Sequence, residues 1–559
     1  IKAIADRIAQ AMLHRKLLDR QPIGDTREWS VIVGLLRRTD PALFLHVTRK
    51  LIYHLFRINV GEAAEIMQEF GAGPLVAGEE AEEESNRPLT RQPIDRLPHL
   101  ADRTFELAAR HLESGELFAL IQKWIREDRA SFLVKVAGNG NATLSQIVDA
   151  LARFRQLGDE ARELSPSAEK GLRVALIRRF FSEQLDFINI AKHHIGVDHF
   201  YDLVTHVIAP EGSHGQLGGK SAGLFLAKRV LLSEAENVPE LQDIRTPRTW
   251  YVSADTVSVL LHYNNLEEVT EQKYKEIDQV RLEYPNIVQL LKNSHFPPQI
   301  VKGLSAALDS FGDRPLIVRS SSLLEDRLGT AFSGKYKSLF LANQGSKESR
   351  LSALLDAIAE VYASVFGPDP IGYRVERGLL DFNEEMGIMI QEVVGRKVGH
   401  YFFPLYAGVA FSRNEFRWSP RIRREDGLVR LVPGLGTRAV DRVSDDYPVL
   451  IAPRQPKLRV NVSDEEILHY SPRRMDVIDL EEGKGFTTIS IPDLLAEVGD
   501  VFPELPLLFS HFEETYIRPL TGLEQHVGTL PLVATFNGLI QNTDFVTKIA
   551  TMLRLLERE

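Results

Sequence analysis

Cysteine is absent from all 559 residues, which excludes disulfides, thiolate metal sites and a cysteine nucleophile. No uninterrupted apolar run approaches the ~20 residues that span a bilayer. The opening stretch, Ile1 to Gln10 (IKAIADRIAQ), lacks the basic-then-apolar build of a secretory leader. Basic charge is not in excess either: 67 Lys and Arg stand against 77 Asp and Glu, a net charge of −10. That balance argues against a nucleic-acid surface. Together these absences predict a cytoplasmic chain with neither a membrane nor a nucleic-acid partner. The chain opens on Ile1 rather than methionine, so its natural N-terminus is expected upstream.

What is present is the composition of an ordinary globular protein, 44% hydrophobic and 26% charged, at a length that calls for two to four domains. The first ~200 residues read as helical. Asp40-Pro41 supplies a cap and a first-turn proline. Leu43, Phe44, Val47, Leu51, Ile52 and Leu55 then recur at helical spacing. From Gly71 to Asp95 the pattern breaks. Five glutamates between Glu79 and Glu84, followed by Pro88 and Pro93, predict a solvated linker over 79–95.

Periodicity resumes near Leu97. Phe118, Ile121 and Ile125 predict an apolar stripe with Trp124 beside it. Gly138-Asn139-Gly140 reads as a turn, Thr143 and Gln146 as a capping box, and Leu172 to Ile195 as one long helix. Residues 1–78 and 96–204 are therefore read as all-α regions. They carry no chemical signature, and docking of a protein partner is their expected use.

From about 205 strands and helices alternate. Leu316-Ile317-Val318, Ile388 to Val394, Tyr406 to Phe411 and Leu428 to Val432 predict strands. Leu351, Leu354, Leu355, Ile358, Val361 and Val365 trace a helix ending at Gly367-Pro368. The mixture predicts an α+β class.

Four segments in this half carry chemistry. Gly218-Gly219-Lys220-Ser221-Ala222-Gly223-Leu224 opens a helix, where paired glycines, a helix N-terminus and a mobile lysine favour phosphate. It is not a P-loop, because residue 214 is histidine. Taken alone it is as readily a glycine turn with a surface lysine. Val318-Arg319-Ser320-Ser321-Ser322 places an arginine after a buried strand, where a guanidinium makes forked contacts to phosphate oxygens. The serines and the Gly334 turn add hydroxyl and amide donors. Pairing of Arg319 with Glu325 or Asp326 is the plainer alternative. Met386 to Val394, ending Gln391-Glu392-Val393-Val394, offers backbone groups to an adenine edge between apolar neighbours. Pro433-Gly434-Leu435-Gly436-Thr437-Arg438 follows another strand and reads as a loop beneath phosphates or as a plain turn.

The order GGK, VRSS, FSG, QEVV, AGVAFS, GLG resembles the ATP-grasp domain of the phosphoenolpyruvate synthase and pyruvate phosphate dikinase family over roughly residues 205–559. Phe296-Pro297-Pro298 and the final helix from Val546 to Glu559 extend the likeness. The resemblance implies a two-lobed ATP-grasp fold, with lobes at 205–345 and 346–559. It implies that Lys220 and Arg319 hold the triphosphate, and that Gly218 and Gly219 lie beneath it. Gly334, Lys335 and Ser338 belong to the small loop that closes over the phosphates. Gln391, Glu392 and Val394 form the adenine-binding hinge, and Gly434 and Gly436 approach the phosphates. ATP and Mg²⁺ are the implied cofactors.

The family's phosphohistidine domain and its pyruvate-handling barrel have no counterpart in the sequence. His214, just ahead of the GGK motif, reads as a loop histidine. The family's acidic metal-binding strand would follow Glu559, so the metal ligands are unassigned and expected beyond it. Thr437-Arg438, with Asp441 and Arg442 after them, depart from the usual acidic residue, and 453–492 reads as an insertion. The resemblance implies a dikinase-type phosphotransferase that converts ATP to AMP. Its phosphate would pass to a histidine in trans, on a carrier protein, or to a small-molecule acceptor. The alternative is an ATP-sensing regulatory module without turnover.

Overall fold

The computed structural model describes residues 28–69, 97–157, 164–324, 334–382, 384–440, 446–483, 485–498, 503–520 and 531–559. The expected linker at 79–95 lies outside them. The chain divides into two units, Ile1–Lys135 with Arg153–Glu169, and Val136–Ala152 with Lys170–Glu559.

The described part of the first unit is helical. Asp40 caps the helix Pro41–Arg57 by accepting the Leu43 N–H at 3.0 Å, which satisfies one of the donors a helix start leaves open. Phe44, Val47, Leu51, Ile52 and Leu55 are buried as their spacing predicts. The helix Ser114–Gly138 is turned from expectation: it buries Leu117, Ile121 and Trp124, while Phe118 and Ile125 are half-buried. Trp124 is part of the buried face, edge-on to His54 at 6.3 Å. Glu127, one turn further, is buried and ion-paired to Lys50.

In the second unit the expected helix over 172–195 is two, Pro166–Phe180 and Leu185–His194. The chain leaves helical geometry after Phe180, and Ser182 Oγ accepts the Gln184 N–H at 3.1 Å. This break lets the consecutive residues Phe180 and Phe181 both enter the core, which a continuous helix, turning 100° per residue, disfavours. Phe181 meets Phe225 at 4.9 Å. Residues 170–204 therefore belong with the mixed unit, not with an N-terminal helical region ending at 204.

The first sheet holds β1 (Val207–Ile208), β2 (Thr249–Val252), β3 (Leu316–Ser322), β4 (Ser338–Leu341) and β5 (Met386–Glu392), in the order β1-β2-β5-β3-β4. Strand β1 runs parallel to β2, and the other pairings are antiparallel. Alternation sets the two faces. Leu316, Val318, Ile388 and Ile390 join a core with Leu260, Leu291, Leu304 and Ile358 from helices. Ile317 faces the other way, onto Leu435 and Ile478. Because β5 lies between β2 and β3, this lobe runs to Glu392, and a boundary at 345 is corrected. The apolar stretch Lys347–Glu376 has 61% of its most apolar window buried in this fold, as befits a core element.

The second lobe holds β6 (Arg396–Val398), β7 (Tyr401–Phe403), β8 (Tyr406–Phe411), β9 (Leu428–Pro433), β10 (Val449–Ile451), β11 (Arg474–Asp479) and β12 (Thr487–Ser490). They form sheets β10-β9-β8 and β12-β11-β7-β6. Strand β11 is interior, with Met475, Val477 and Ile478 buried. Residues 453–492 are thus built into this lobe rather than inserted outside it.

Candidate functional site

The site begins at the helix Gly219–Ala235, whose N-cap is Gly218 at φ +83°. A Cβ on Gly218 would lie 1.6 Å from the Ser321 carbonyl oxygen of β3. Only glycine permits both that backbone and that approach. The closeness brings the helix start against β3. The Ser221 N–H donates to Ser321 Oγ at 3.1 Å, the two hydroxyls lie 3.0 Å apart, and Lys220 Nζ donates to Ser320 Oγ at 3.0 Å. Lys220 is thereby held against the residue next to Arg319.

Ser320, Ser321 and Ser322 are fully buried. Ser322 Oγ donates to Glu384 Oε1 at 2.9 Å and accepts the Leu324 N–H. These hydroxyls bond to protein groups, which corrects the expectation that they serve as phosphate donors. Behind them Glu384 receives the Tyr336 hydroxyl and pairs with Arg374 at 2.7 Å, both carboxylate and guanidinium buried. Glu384, Arg374 and Tyr336 were not singled out from sequence. A charged pair inside an apolar run has no periodic signature.

Arg319 lies on the sheet face turned away from the helical core. Register places it opposite Ser338 on β4 and Met389 on β5, and Met389 opposite Tyr251 on β2. Directly paired residues share a face, so Ser338, Arg319, Met389 and Tyr251 form one row. Ser338 is exposed. Tyr251 is buried, and burial pushes its hydroxyl up to about 12, so it stays neutral at ordinary pH. One row along, Arg319 Nη1 donates to Gln391 Oε1 at 3.3 Å, and Gln391 Nε2 donates to Thr249 Oγ1 at 3.0 Å. Arg319, Ser338 and Gln391 are thus gathered on β3 and its neighbouring strands, and Lys220 reaches β3 at the adjacent Ser320.

The turn before β4 has Gly334 at φ +76° with open space where a Cβ would sit, and Lys335 Nζ lies 5.7 Å from the Tyr373 ring. Glu325, Asp326 and residues 331–333 lie outside the described residues. At the end of β5, Glu392 pairs with Arg248 at 2.9 Å. Burial pushes its carboxyl up, but hydrogen bonds from the Arg248 N–H and guanidinium outweigh this and hold it below the usual range. The Glu392 side chain is therefore engaged in the fold, while Val394 is exposed.

In the second lobe Gly434, at φ +71°, bridges to Asp476 of β11, and a Cβ there would lie 2.6 Å from the Asp476 carbonyl oxygen. A Cβ on Gly436 would meet the Ala407 Cβ at 3.3 Å. Asp476 accepts from Thr437 Oγ1 at 2.5 Å and Thr488 Oγ1 at 2.7 Å, and lies 3.6 Å from Arg438. Arg438 also donates to Asp446 at 3.1 Å. The Thr437-Arg438 departure is explained by these carboxylates: both residues tie the glycine loop into its own lobe. Asp441 and Arg442 lie outside the described residues. Among the described residues no three His, Asp or Glu side chains form a metal-ligand set.

Residues 214–493 match the family described as "Pyruvate phosphate dikinase, AMP/ATP-binding domain". The match takes in all of these segments and residues 453–492. The chain is also similar to rifampicin phosphotransferase of Bacillus subtilis (strain 168), 24% identical over 216 residues. That similarity covers 37% of this chain and 23% of the relative, so the chain matches about a quarter of that protein's length.

Proposed function

From a chain that belongs to the pyruvate phosphate dikinase AMP/ATP-binding domain family, we infer an ATP-dependent phosphotransferase of the dikinase type. Lys220 and Arg319 hold the triphosphate. The helix start at Gly218–Gly219 and the turn at Gly334–Lys335, with Ser338, surround it. The hinge at Gln391, Glu392 and Val394 takes the adenine through its backbone, and Gly434 and Gly436 close the site from the second lobe. ATP is cleaved to AMP: the β-phosphoryl group passes to a histidine in trans or a small-molecule acceptor, and the γ-phosphoryl group passes to water and leaves as inorganic phosphate.

The observation that carries this reading is the anchoring of the helix-start residue Lys220 to β3, the strand on which Arg319 reaches Gln391 of the adjacent β5. Lys220 arrives from a helix start and bonds to the residue beside Arg319, and Arg319 bonds to Gln391. Phosphoryl transfer needs little covalent work from the protein; fixed positive charge and positioning supply most of the acceleration. Mg²⁺ would neutralise phosphate oxygens when bound, and no ligands are assigned to it.

The test uses ATP labelled at the β-phosphate, incubated with the chain and Mg²⁺, with the products separated. Label that leaves the nucleotide as AMP forms supports dikinase chemistry and directs the search to the acceptor. Label found only in ADP overturns it, and tight binding without products overturns turnover by this chain alone.

A further inference from the structure

The second lobe carries a cavity that none of the residues placed in the nucleotide site line. It occupies about 410 Å³ beside β10 and is bounded by the aromatic side chains of Phe416, Tyr447 and Tyr470, with Asn461, Ser471 and Arg459. The three aromatic residues are each more than 40% exposed, and Tyr447 and Tyr470 meet edge to face at 5.2 Å. Large rings left open to solvent around one hollow mark a place where apolar surface remains to be covered.

Arg459 is the charged group of this hollow. Its Nη2 donates to the Thr535 carbonyl at 3.0 Å and its Nη1 to Asn537 Oδ1 at 3.4 Å. Both acceptors are neutral, and among the described residues no carboxylate pairs with it. Burial holds the guanidinium below the usual arginine range. The contrast within the same lobe is direct, since Arg438 is matched by Asp446 and Asp476. Taking a guanidinium from water without a counter-charge is costly, and an arginine has donors to spare after two bonds. An anion in the cavity would complete both accounts.

We propose that this cavity binds a small organic anion, its carboxylate or phosphate on Arg459 and its planar apolar body against Tyr447, Tyr470 and Phe416. Ser471 and Asn461 add hydroxyl and amide groups that orient it. The site is separate from the nucleotide site, so the two are expected to fill independently.

The test is calorimetric titration of the full chain with three probes of one shape: benzoate, phenyl phosphate and the neutral benzamide. Saturable 1:1 binding of benzoate or phenyl phosphate at about 1 mM or tighter is expected, with benzamide at least tenfold weaker. Whichever anion binds more tightly identifies the carboxylate or the phosphate source. Arg459→Gln should weaken the anion at least tenfold and bring it level with benzamide, while ATP affinity stays within twofold. If that variant does not fold, Tyr470→Ala must weaken the same anion. Failure of both anions to bind, equal binding of benzamide, or indifference to the variants overturns the proposal. Loss of ATP binding in the unaltered chain would instead count against the nucleotide site.

Discussion

The two glycine loops of the mixed unit do the same geometric job by different means. At Gly218 the backbone is pressed onto β3 and fastened by neutral hydroxyls, Ser321 to Ser221 and Ser320 to Lys220. At Gly434 the backbone is pressed onto β11 and fastened by carboxylates, with Asp476 and Asp446 holding Thr437 and Arg438. Lys220, the cation beside the first loop, donates to the Ser320 hydroxyl, and Arg438, the cation in the second, pairs with Asp446 and Asp476. The comparison teaches that two arginine- or lysine-bearing glycine motifs in one chain need not share a role. Charge removal at the first loop should strike nucleotide chemistry, and at the second the fold.

The largest effect is expected at the tightest backbone contact. Gly218→Ala forces a methyl to within 1.6 Å of the Ser321 carbonyl at a positive φ and should cost about 4 kcal/mol or more. Gly434→Ala, whose Cβ would lie 2.6 Å from the Asp476 carbonyl oxygen, should cost less, about 2–3 kcal/mol. Chemical denaturation of both variants ranks them, and a reversed order would break the comparison. Next, Arg319→Ala should lose on the order of 3 kcal/mol of transition-state stabilisation with little change in Tm. Steady-state kinetics beside a melt separates the two, and near-normal turnover removes the assignment.

Asp476→Asn sharpens the other side. It weakens the acceptor for Thr437 and Thr488 and removes a charge near Arg438, so about 1–3 kcal/mol of stability should go. A variant as stable as the parent would mean that Asp446 alone suffices. The smallest effect concerns Glu385, which precedes β5. Burial, then the charge of Asp255, pushes its carboxyl above 4.5, against a lowering by His214. The folded state then holds the proton more tightly than the unfolded one. Its contribution to stability is full below pH 4.5 and is lost as pH rises through the raised folded value. Glu385→Gln should flatten that slope and leave the neutral-pH Tm equal or higher; an unchanged slope would place the effect elsewhere.

Much of this was readable from the chain. The strands at 316, 386, 406 and 428, the Asp40 cap and the helix opening at Gly219 all rest on local signals. What escaped is non-local. Insertion of β5 between β2 and β3 moves the lobe boundary past 345, and strand order leaves no trace in periodicity. The serines of β3 looked like phosphate donors because their hydroxyl partners, Ser221 and Glu384, lie far off in sequence. The helix break after Phe180 hides in an apolar pattern that suits a continuous helix, and goes with the packing of Phe181 on Phe225. Asp476, the anchor of the second loop, sits in a stretch that read as an insertion.

The most direct test of the central claim is the ATP affinity of four proteins measured side by side by calorimetry: the parent chain, Lys220→Met, Arg319→Ala and Arg438→Met. The account predicts saturable binding by the parent and at least tenfold weaker binding in the first two variants. In Arg438→Met it predicts affinity within about threefold of the parent wherever the protein remains folded, each tenfold being about 1.4 kcal/mol. Equal affinity in the Lys220 and Arg319 variants, or a loss confined to the Arg438 variant, would contradict it.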